Sequence, residues 1–437
     1  MKVLWISHFS NPQVREKLNL SVSRFELIIR RLLGKQKKQW CDYAVWITNG
    51  IKEIEELDEV EMHVLSPHYG MSKRIESFTL NGINYHFFKP DDNSFLKRAK
   101  IVLTKNIESK HRGNRKIIKK IVNNINPDII HMFGAENPQY SIAALDIDTN
   151  KYPLFVSLQT LMNEPDFKRN YYINNKQYVF RSGIERKILQ RVIYIGSTVQ
   201  KYREIVWKSI NPSAFFFKTY LAVQEKIEIG DCEKKFDFVF FAASITKEAD
   251  YAVEAFAIAC IMLPNLTLNI IGDTPEPFTK KLLLRIKELG IEDNVHFRGK
   301  LQTHNEVIKE IKLSRFAILP LKVDGISGTI REAMFSGIPV VTTKTRTTPN
   351  LNRLRESILI SELGDYQAMA DNMIKLKTNM KFAEILAMNG LITANELWNN
   401  RSTIAELIHS YKAIIDYHDI KTPIPNQLGT INPNIDE

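Results

Sequence analysis

The stretch DGISGTIREAMFSGIPVV, residues 324–341, combines two acidic residues with a glycine-bearing turn and a predicted helix. The first N–H groups of a helix have no partner within it, and together with the positive end of the helix dipole they suit a phosphate group. Gly325 and Gly328 let the backbone approach such an anion closely. A carboxylate at Glu332 would repel phosphate, so its natural partner is a pair of hydroxyls such as those of a ribose. The stretch therefore predicts a site for a phosphorylated, hydroxyl-bearing compound.

The second half of the chain supplies the elements that would position this loop. Apolar runs alternate there with segments of helical periodicity, which indicates a parallel sheet covered on both faces. The predicted strands are KFDFVFFAAS, LTLNIIGD, NVHFRG, RFAILPL and IPVVTT. Ligands of such sheets lie beyond the carboxyl ends of the strands, which is where the loop of residues 324–328 falls.

The first half shows the same kinds of element less regularly. Its predicted strands are KVLWISH, EMHVLSP, INYHFF, NPDIIHMF, YPLFVSLQ and QRVIYIGS, with a helix near residues 43–57. We therefore predict two α/β, doubly wound domains, with residues 1–225 in the first and 226–420 in the second. The polar, proline-bearing segment 421–437 is predicted to be an unstructured tail.

The spacing of Asp324 and Glu332, followed by AMFSGIPVV, resembles the acidic-x7-Glu signature of the retaining glycosyltransferases of family 4. That family has the GT-B fold, two Rossmann-like domains that face each other across a cleft. The resemblance implies that Asp324 contacts the sugar of a nucleotide-sugar donor and that Glu332 binds the ribose. It assigns the diphosphate to the loop residues Gly325, Ile326, Ser327, Gly328 and Thr329. The alternative is an ordinary turn between a strand and a helix.

Other segments of the second half resemble the family's donor domain. In FFAASITKEADYAVEAF the resemblance makes Lys247 a contact of the diphosphate, whereas Ala243-Ser244 stand where many members have an arginine. Gly272 and Asp273 end the second strand of this half, and Arg298 and Gly299 occupy the place where members hold the nucleotide base.

The first half resembles the family's acceptor domain at PDIIHMFGAENP, residues 127–138. The resemblance makes His131 a contact of the donor sugar or the acceptor, with Glu136 as the nearest carboxylate. A histidine beside Met and Phe is often a packing residue, so both roles stay open. Two positions depart from the family pattern, because Phe133 replaces a second histidine and Ala44-Val45 replace a Gly-Gly turn.

Composition limits the compartment and the partners. The sequence carries a formal net charge of +11, with basic clusters at residues 30–38 and 96–120 that predict contact with an anionic membrane surface or a solvated helix face. No nucleic-acid-binding motif accompanies them, so we expect no nucleic-acid partner. No apolar run is long enough to span a bilayer, and the start resembles a core strand more than a signal peptide, so we expect a cytoplasmic protein.

The sequence also bears on metals and cofactors. The three cysteines are widely spaced and lack His or Cys neighbours, which argues against disulfides and zinc. Asp91-Asp92 is best interpreted as a polar turn and not as a metal-binding pair. We therefore expect no metal and no cofactor beyond the nucleotide-sugar substrate.

Three hypotheses about function follow. The first is a metal-independent, retaining transferase that moves a sugar from a UDP- or GDP-sugar to a glycan or lipid-linked glycan, as in polysaccharide biosynthesis. The second is a sugar-nucleotide epimerase of the same fold, for which no obvious set of acid–base carboxylates is present. The third is a catalytically weak relative that acts as a partner in a biosynthetic complex.

Overall fold

The structure is a computed structural model, and it describes residues 1–21, 40–91, 111–167, 173–224, 227, 232–241, 248–272, 276–322 and 325–433. The chain divides into two compact units. The first contains residues 1–168, 173–222 and 400–437, and the second contains residues 223–399.

Each predicted strand is present close to its predicted position. The strands of the structure are β1 Lys2–Ile6, β2 Glu61–Pro67, β3 Ile75–Leu80, β4 Ile83–Phe88, β5 Ile129–Phe133, β6 Leu154–Ser157, β7 Tyr194–Gly196, β8 Phe215–Phe217, β9 Phe236–Phe241, β10 Leu268–Ile271, β11 Val295–Gly299, β12 Ser314–Ile318, β13 Val340–Thr343, β14 Leu359–Ser361 and β15 Gly429–Thr430. Of these, β3, β8, β14 and β15 were not predicted.

The α-helices fill most of the segments between the strands. They are α1 Pro12–Lys17, α2 Val45–Ile54, α3 Arg112–Ile125, α4 Pro138–Ser141, α5 Asn175–Arg191, α6 Gln200–Ser209, α7 Ala249–Met262, α8 Glu276–Glu288, α9 His304–Lys312, α10 Gly328–Phe335, α11 Tyr366–Thr378, α12 Met380–Leu397 and α13 Asn400–Ile420. None of the helices described combines the length and the apolar character that crossing a membrane requires.

The sheet of the first unit has the strand order β15-β8-β7-β6-β5-β1-β2-β4-β3. Its central strands are buried on both faces, because Leu4 and Ile6 pack into one apolar cluster while Val3 and Trp5 pack into another. The chain builds outward from β1 through β2, then returns to place β5 on the other side of β1. The strand order therefore reverses between β1 and β5, and this reversal defines where a ligand can sit.

The sheet of the second unit is parallel, with the order β11-β10-β9-β12-β13-β14. Phe238 and Phe240 of β9 face one apolar cluster, and Val239 and Phe241 face the other. Strand order reverses here between β9 and β12. Two doubly wound α/β units were predicted, and this part of the prediction is confirmed.

Two boundaries in the sequence prediction were wrong. Residues 400–420 were assigned to the second domain, but α13 packs Ile404, Leu407 and Tyr411 into the core of the first unit beneath Trp5. No element had been predicted for residues 400–420, and no local pattern indicates which sheet a helix there covers. The tail predicted to be unstructured contains β15, which pairs antiparallel with β8. Backbone pairing along an open strand edge needs no apolar pattern, so the composition gave no signal.

The hairpin of β3 and β4 was also missed. Asn81 and Gly82 both have positive φ, +51° and +78°, as a two-residue turn between antiparallel strands requires. The Asn-Gly pair in TLNGIN was the available signal.

Helix α13 is attached to the first sheet by a buried polar network. The indole N–H of Trp5 donates to the Tyr411 hydroxyl at 2.8 Å, and Nδ1 of His131 lies 2.5 Å from the same hydroxyl. Nε2 of His131 lies 2.6 Å from the Ser157 hydroxyl. An indole nitrogen only donates, so every polar atom is satisfied if Tyr411 donates to Nδ1 and Nε2 donates to Ser157.

We expect Tyr411→Phe to lower the free energy of unfolding by about 1–3 kcal/mol, because it leaves the buried indole N–H and one imidazole nitrogen without partners. Urea denaturation monitored by tryptophan fluorescence would measure the change. Tyr417→Phe, on the same helix but at a partly exposed ring, is the matched control and should shift stability by less than about 0.5 kcal/mol. Equal effects of the two substitutions would contradict this role for the network.

Candidate functional site

The loop between β12 and α10 lies at the carboxyl end of the second sheet, beside the reversal of strand order. Gly325 has φ +111°, a conformation that side chains with a Cβ rarely adopt, and a Cβ built on it would meet no atom within 4 Å. Glycine is therefore required here by backbone conformation and not by crowding. Its N–H donates to the Thr347 hydroxyl at 3.0 Å, which fixes the turn.

The backbone then presents four consecutive amides. The N–H groups of Ile326, Ser327, Gly328 and Thr329 make no hydrogen bond to any residue that the structure describes. Ser327 caps α10, since its hydroxyl accepts from the N–H of Ile330 at 3.4 Å. The free N–H groups and the positive end of the helix dipole together make a site that favours an anion.

Glu332 lies at the start of the second turn of α10 and is partly exposed. Its Oε1 is 3.8 Å from the position of a Cβ built on Gly328, so the carboxylate extends back along the helix toward its amino end. Arg331 occupies the other side of this turn, where it donates to the carbonyl of Ile326 at 2.7 Å. A carboxylate beside an anion site suits a ligand that carries hydroxyls next to its phosphates.

A threonine-rich segment after β13 supports the loop. The Thr343 hydroxyl accepts from the N–H of Leu321 at 2.7 Å and donates to its carbonyl at 2.5 Å. The hydroxyls of Thr345 and Thr347 lie 3.2 Å apart, and Thr348 donates to the carbonyl of Thr343 at 3.0 Å. Sequence analysis missed these residues, although the run VVTTKTRTT after a strand was a visible signal.

Other predicted donor-site residues are more dispersed. Gly272 follows β10 with φ +138°, and its N–H donates to the carbonyl of Gly299 at 3.0 Å. Gly299, with φ +74°, ends β11 at the edge of the sheet. Arg298 is on that edge strand, and its Nε lies 3.5 Å from Glu310 Oε2. Gly272 and Gly299 are therefore linked by a backbone hydrogen bond, and Arg298 forms an ion pair with Glu310.

Three predicted residues, Asp324, Lys247 and Asp273, lie outside the described residues, as do Ala243 and Ser244. Their assignments stay predictions. In the chain as described, no group of three or more His, Cys, Asp or Glu side chains is arranged to hold a metal ion.

The structure corrects the prediction that His131 contacts a sugar. The side chain has no exposed surface, and its two nitrogens are within hydrogen-bonding distance of Tyr411 and Ser157. Burial also lowers the pKa of His131 well below its ordinary value, so the ring is neutral. His131 packs between Phe133 and Phe155 as a core residue, the alternative that the sequence had left open.

Glu136 lies after the carboxyl end of β5, in the first unit, and only 4% of it is exposed. One carboxyl oxygen accepts from the Asn137 side chain at 3.0 Å, while Oε2 is buried and makes no hydrogen bond with the described residues. A Cβ on Gly134 would lie 2.6 Å from this oxygen, so glycine makes room for it. Burial, with a smaller contribution from Glu185, raises the pKa of Glu136 to about 7.

Ala44 stands where the family pattern has a Gly-Gly turn, and it has φ +51° at the start of α2. This is the left-handed conformation that glycine adopts at lower cost than alanine. The local backbone therefore keeps a turn of the glycine type although the residue has changed.

Comparisons with known proteins agree with this arrangement. Residues 224–391 match the family described as Glycosyl transferases group 1. The N-acetyl-alpha-D-glucosaminyl L-malate synthase of Bacillus anthracis is 25% identical over 173 residues, a match that spans 40% of this chain and 44% of that enzyme.

Two solved structures resemble nearly the whole chain. Sucrose-phosphate synthase from Thermosynechococcus elongatus gives a TM-score of 0.64 at 12% identity, covering 94% of this chain and 98% of its own. HepE of Anabaena, in complex with UDP and glucose, gives a TM-score of 0.62 at 13% identity. This alignment covers 94% of this chain and 100% of the HepE chain. At this level of identity the likeness establishes the fold.

We expect Glu136→Gln to change how stability depends on pH. The folded-state pKa of about 7 exceeds the ordinary value of 4.5, so the neutral carboxyl contributes stability that is lost as pH rises between these values. Glutamine keeps the shape without ionising, so the variant should gain on the order of 2–4 kcal/mol relative to the native protein between pH 5 and pH 8. Urea denaturation at several pH values would measure this difference.

The matched control is Glu16→Gln, at an exposed carboxyl of the same unit. Parallel stability profiles for native protein and Glu136→Gln across this pH range would refute the raised pKa.

Proposed function

We propose that the protein transfers a sugar from a nucleotide sugar to a glycan or lipid-linked glycan, because residues 224–391 match the glycosyl transferases group 1 family and the chain has the GT-B fold. The transferred sugar retains the anomeric configuration that it has in the donor, and the reaction uses no metal ion. The observation that carries the proposal is the row of four amides, Ile326 to Thr329, at the amino end of α10, which make no hydrogen bond to any described residue.

These amides suit a nucleoside diphosphate better than a single phosphate. Four successive N–H groups span more than one phosphoryl group, and a helix amino end adds its dipole. Glu332 extends along the first turn of the same helix, where it can accept hydrogen bonds from a ribose next to the diphosphate. Asp324, one residue before Gly325, would contact the transferred sugar.

We favour UDP as the nucleotide over GDP. HepE, which resembles this chain over nearly its whole length, was solved with UDP and glucose. The relative from Bacillus anthracis is named as an N-acetyl-alpha-D-glucosaminyl L-malate synthase, which is consistent with a hexosamine or hexose as the transferred group.

The loop can assist the reaction through electrostatics. The bond from the anomeric carbon to the diphosphate oxygen breaks, and a bond from that carbon to the acceptor oxygen forms on the same face. The proton of the acceptor hydroxyl passes to an oxygen of the leaving phosphate. Preorganised amides, helped by Lys247, stabilise the negative charge that develops on this leaving group, which is the usual role of such donors.

The transferase proposal is tested by incubating the protein with a panel of UDP- and GDP-sugars, with and without acceptor glycans, in the presence of EDTA. Release of UDP with formation of a glycoside of unchanged configuration, unaffected by EDTA, is the expected result. An altered sugar without an acceptor would indicate an epimerase. Thermal stabilisation by nucleotide without turnover would indicate a binding partner in a biosynthetic complex.

We expect Glu332→Gln to weaken UDP binding by about 1–3 kcal/mol, because an amide replaces a charged acceptor of ribose hydroxyls. Isothermal titration calorimetry would measure the change in affinity. Glu384→Gln, at an exposed position of α12 in the same unit, controls for the loss of a negative charge. Unchanged UDP affinity in a folded Glu332→Gln protein would remove the ribose assignment.

We also propose that the first unit contacts an anionic membrane through α3. Lys116, Lys119 and Lys120 are exposed on one side of this helix, while Ile117, Ile118 and Ile121 face the core. The basic segment 30–38 and residues 96–110 lie outside the described residues. Of the predicted basic clusters, the described part is therefore the exposed face of α3.

Replacing Lys116, Lys119 and Lys120 together by glutamine should weaken binding to vesicles that contain phosphatidylglycerol by about 1 kcal/mol for each lysine. Vesicle sedimentation would measure the partitioning. Lys280, Lys281 and Lys287, three exposed lysines of α8, provide a control triple substitution with the same change of charge. If vesicle binding falls equally in both triple variants, it depends on the net charge of the protein, and α3 is not a specific membrane-binding surface.

A further inference from the structure

The carboxyl edge of the first sheet carries a histidine that differs from the others near it. His8 follows β1 directly, at the reversal of strand order between β1 and β5, and it is partly exposed. Its ring nitrogens make no hydrogen bond to any residue within the described ranges, whereas those of His131 are both paired and Nδ1 of His68 accepts from Gly70. The nitrogens of this partly exposed imidazole can therefore form hydrogen bonds with a ligand.

An aromatic corner surrounds this imidazole. The Tyr43 ring stacks on His8, with ring centroids 4.5 Å apart and an interplanar angle of 24°. The Tyr69 ring meets His8 edge to face at 6.5 Å. Tyr43 keeps 43% of its surface exposed, although it is a large side chain at the mouth of a doubly wound sheet.

The corner is held in place by the backbone and by polar contacts. Tyr43 and Ser10 exchange both backbone hydrogen bonds, at 2.9 and 3.3 Å. The Tyr69 hydroxyl donates to Gln139 at 2.7 Å, which links the loop after β2 to the loop after β5. Ala44, with φ +51°, then turns the chain sharply from Tyr43 into α2. The rings are therefore positioned before any ligand arrives.

The electrostatics of this corner suit an uncharged ligand. Burial lowers the pKa of His8, so its imidazole is neutral near pH 7 and offers one donor and one acceptor. The nearby guanidinium of Arg15 is paired with Asp42 at 2.6 Å. A surface of aromatic rings with one neutral hydrogen-bonding group matches a sugar ring, which has apolar C–H faces and hydroxyl edges.

We propose that His8 and Tyr43 bind a sugar residue of the acceptor, with Tyr43 contacting its C–H face and His8 making a hydrogen bond to one of its hydroxyls. This inference rests on the proposed transferase function. It assigns the acceptor to the crevice at the strand reversal of the first unit, where ligands of doubly wound sheets bind. His131, which the sequence had suggested for this contact, lies in the core.

The first measurement uses saturation-transfer NMR with octyl glucoside, octyl galactoside and octyl N-acetylglucosaminide as probes of the native protein. At least one should bind, and His8→Ala and Tyr43→Ala should weaken that binding about tenfold or more, the effect of losing a hydrogen bond or a ring contact. Tyr43→Phe, which keeps the ring, should stay within about threefold. No binding of any of the probes to the native protein would overturn the inference.

The second measurement separates acceptor from donor. With the nucleotide sugar that the panel identifies, His8→Ala should raise the KM for the bound octyl glycoside about tenfold or more. The same variant should hydrolyse the donor, with water as acceptor, at a rate within about threefold of the native protein. Equal losses in both reactions, or an unchanged acceptor KM, would refute the assignment. Tyr366→Ala is the matched control, since Tyr366 is exposed in the second unit and packs against Tyr251 at 4.5 Å.

Two further results keep the test decisive. If His8→Ala does not fold, judged by circular dichroism, His8→Gln retains hydrogen bonding at this position and should keep more acceptor binding than His8→Leu. If the native protein turns over none of the nucleotide sugars, the transferase proposal fails by itself, and the binding measurement still decides whether the His8–Tyr43 pair recognises a sugar.

Discussion

The candidate site depends on one constraint of parallel sheets: each strand is followed by a helix that begins at the carboxyl edge with unpaired N–H groups. In most such turns a side chain or water satisfies these donors. At α10, four consecutive N–H groups make no hydrogen bond to the described residues. The next one, of Ile330, donates to the capping hydroxyl of Ser327. The described residues on either side are held in place, because the Gly325 N–H donates to Thr347 and both backbone groups of Leu321 are hydrogen-bonded to Thr343. The site thus combines unpaired donors with a fixed backbone, and such preorganisation is what stabilises a developing charge.

In the first unit, polar side chains in the core and at the carboxyl edge of the sheet differ in their hydrogen bonding. In the core, Trp5, His131, Tyr411 and Ser157 form a closed network in which each polar atom has a partner. At the carboxyl edge, the partly exposed His8 makes no hydrogen bond to the described residues, and the buried Oε2 of Glu136 has no hydrogen-bond partner among them. Leaving a buried carboxyl oxygen without a partner is costly, which agrees with the raised pKa of Glu136.

Much of the fold followed from sequence because buried parallel strands are continuous apolar runs. KVLWI, FDFVFF and LNII were predicted as strands for that reason, and the structure agrees. The turn at Gly325 and the helix after it were also predicted, since glycine and helical periodicity are local signals. Short strands with weak patterns, such as Phe215–Phe217 and Gly429–Thr430, could not be found this way, because their pairing depends on a neighbour distant in sequence.

The same distinction explains why the functional assignment of His131 was wrong. His131 lies within an apolar strand and His8 follows one, and nothing in their immediate neighbours separates a core residue from a partly exposed one. What decides between them is helix α13, which brings Tyr411 against His131 from 280 positions away in the chain. That helix covers the face of the sheet that holds His131, whereas His8 lies beyond the end of β1, where a side chain can contact a ligand. Burial by a distant helix is a tertiary effect, so no local pattern around either histidine could have carried the answer.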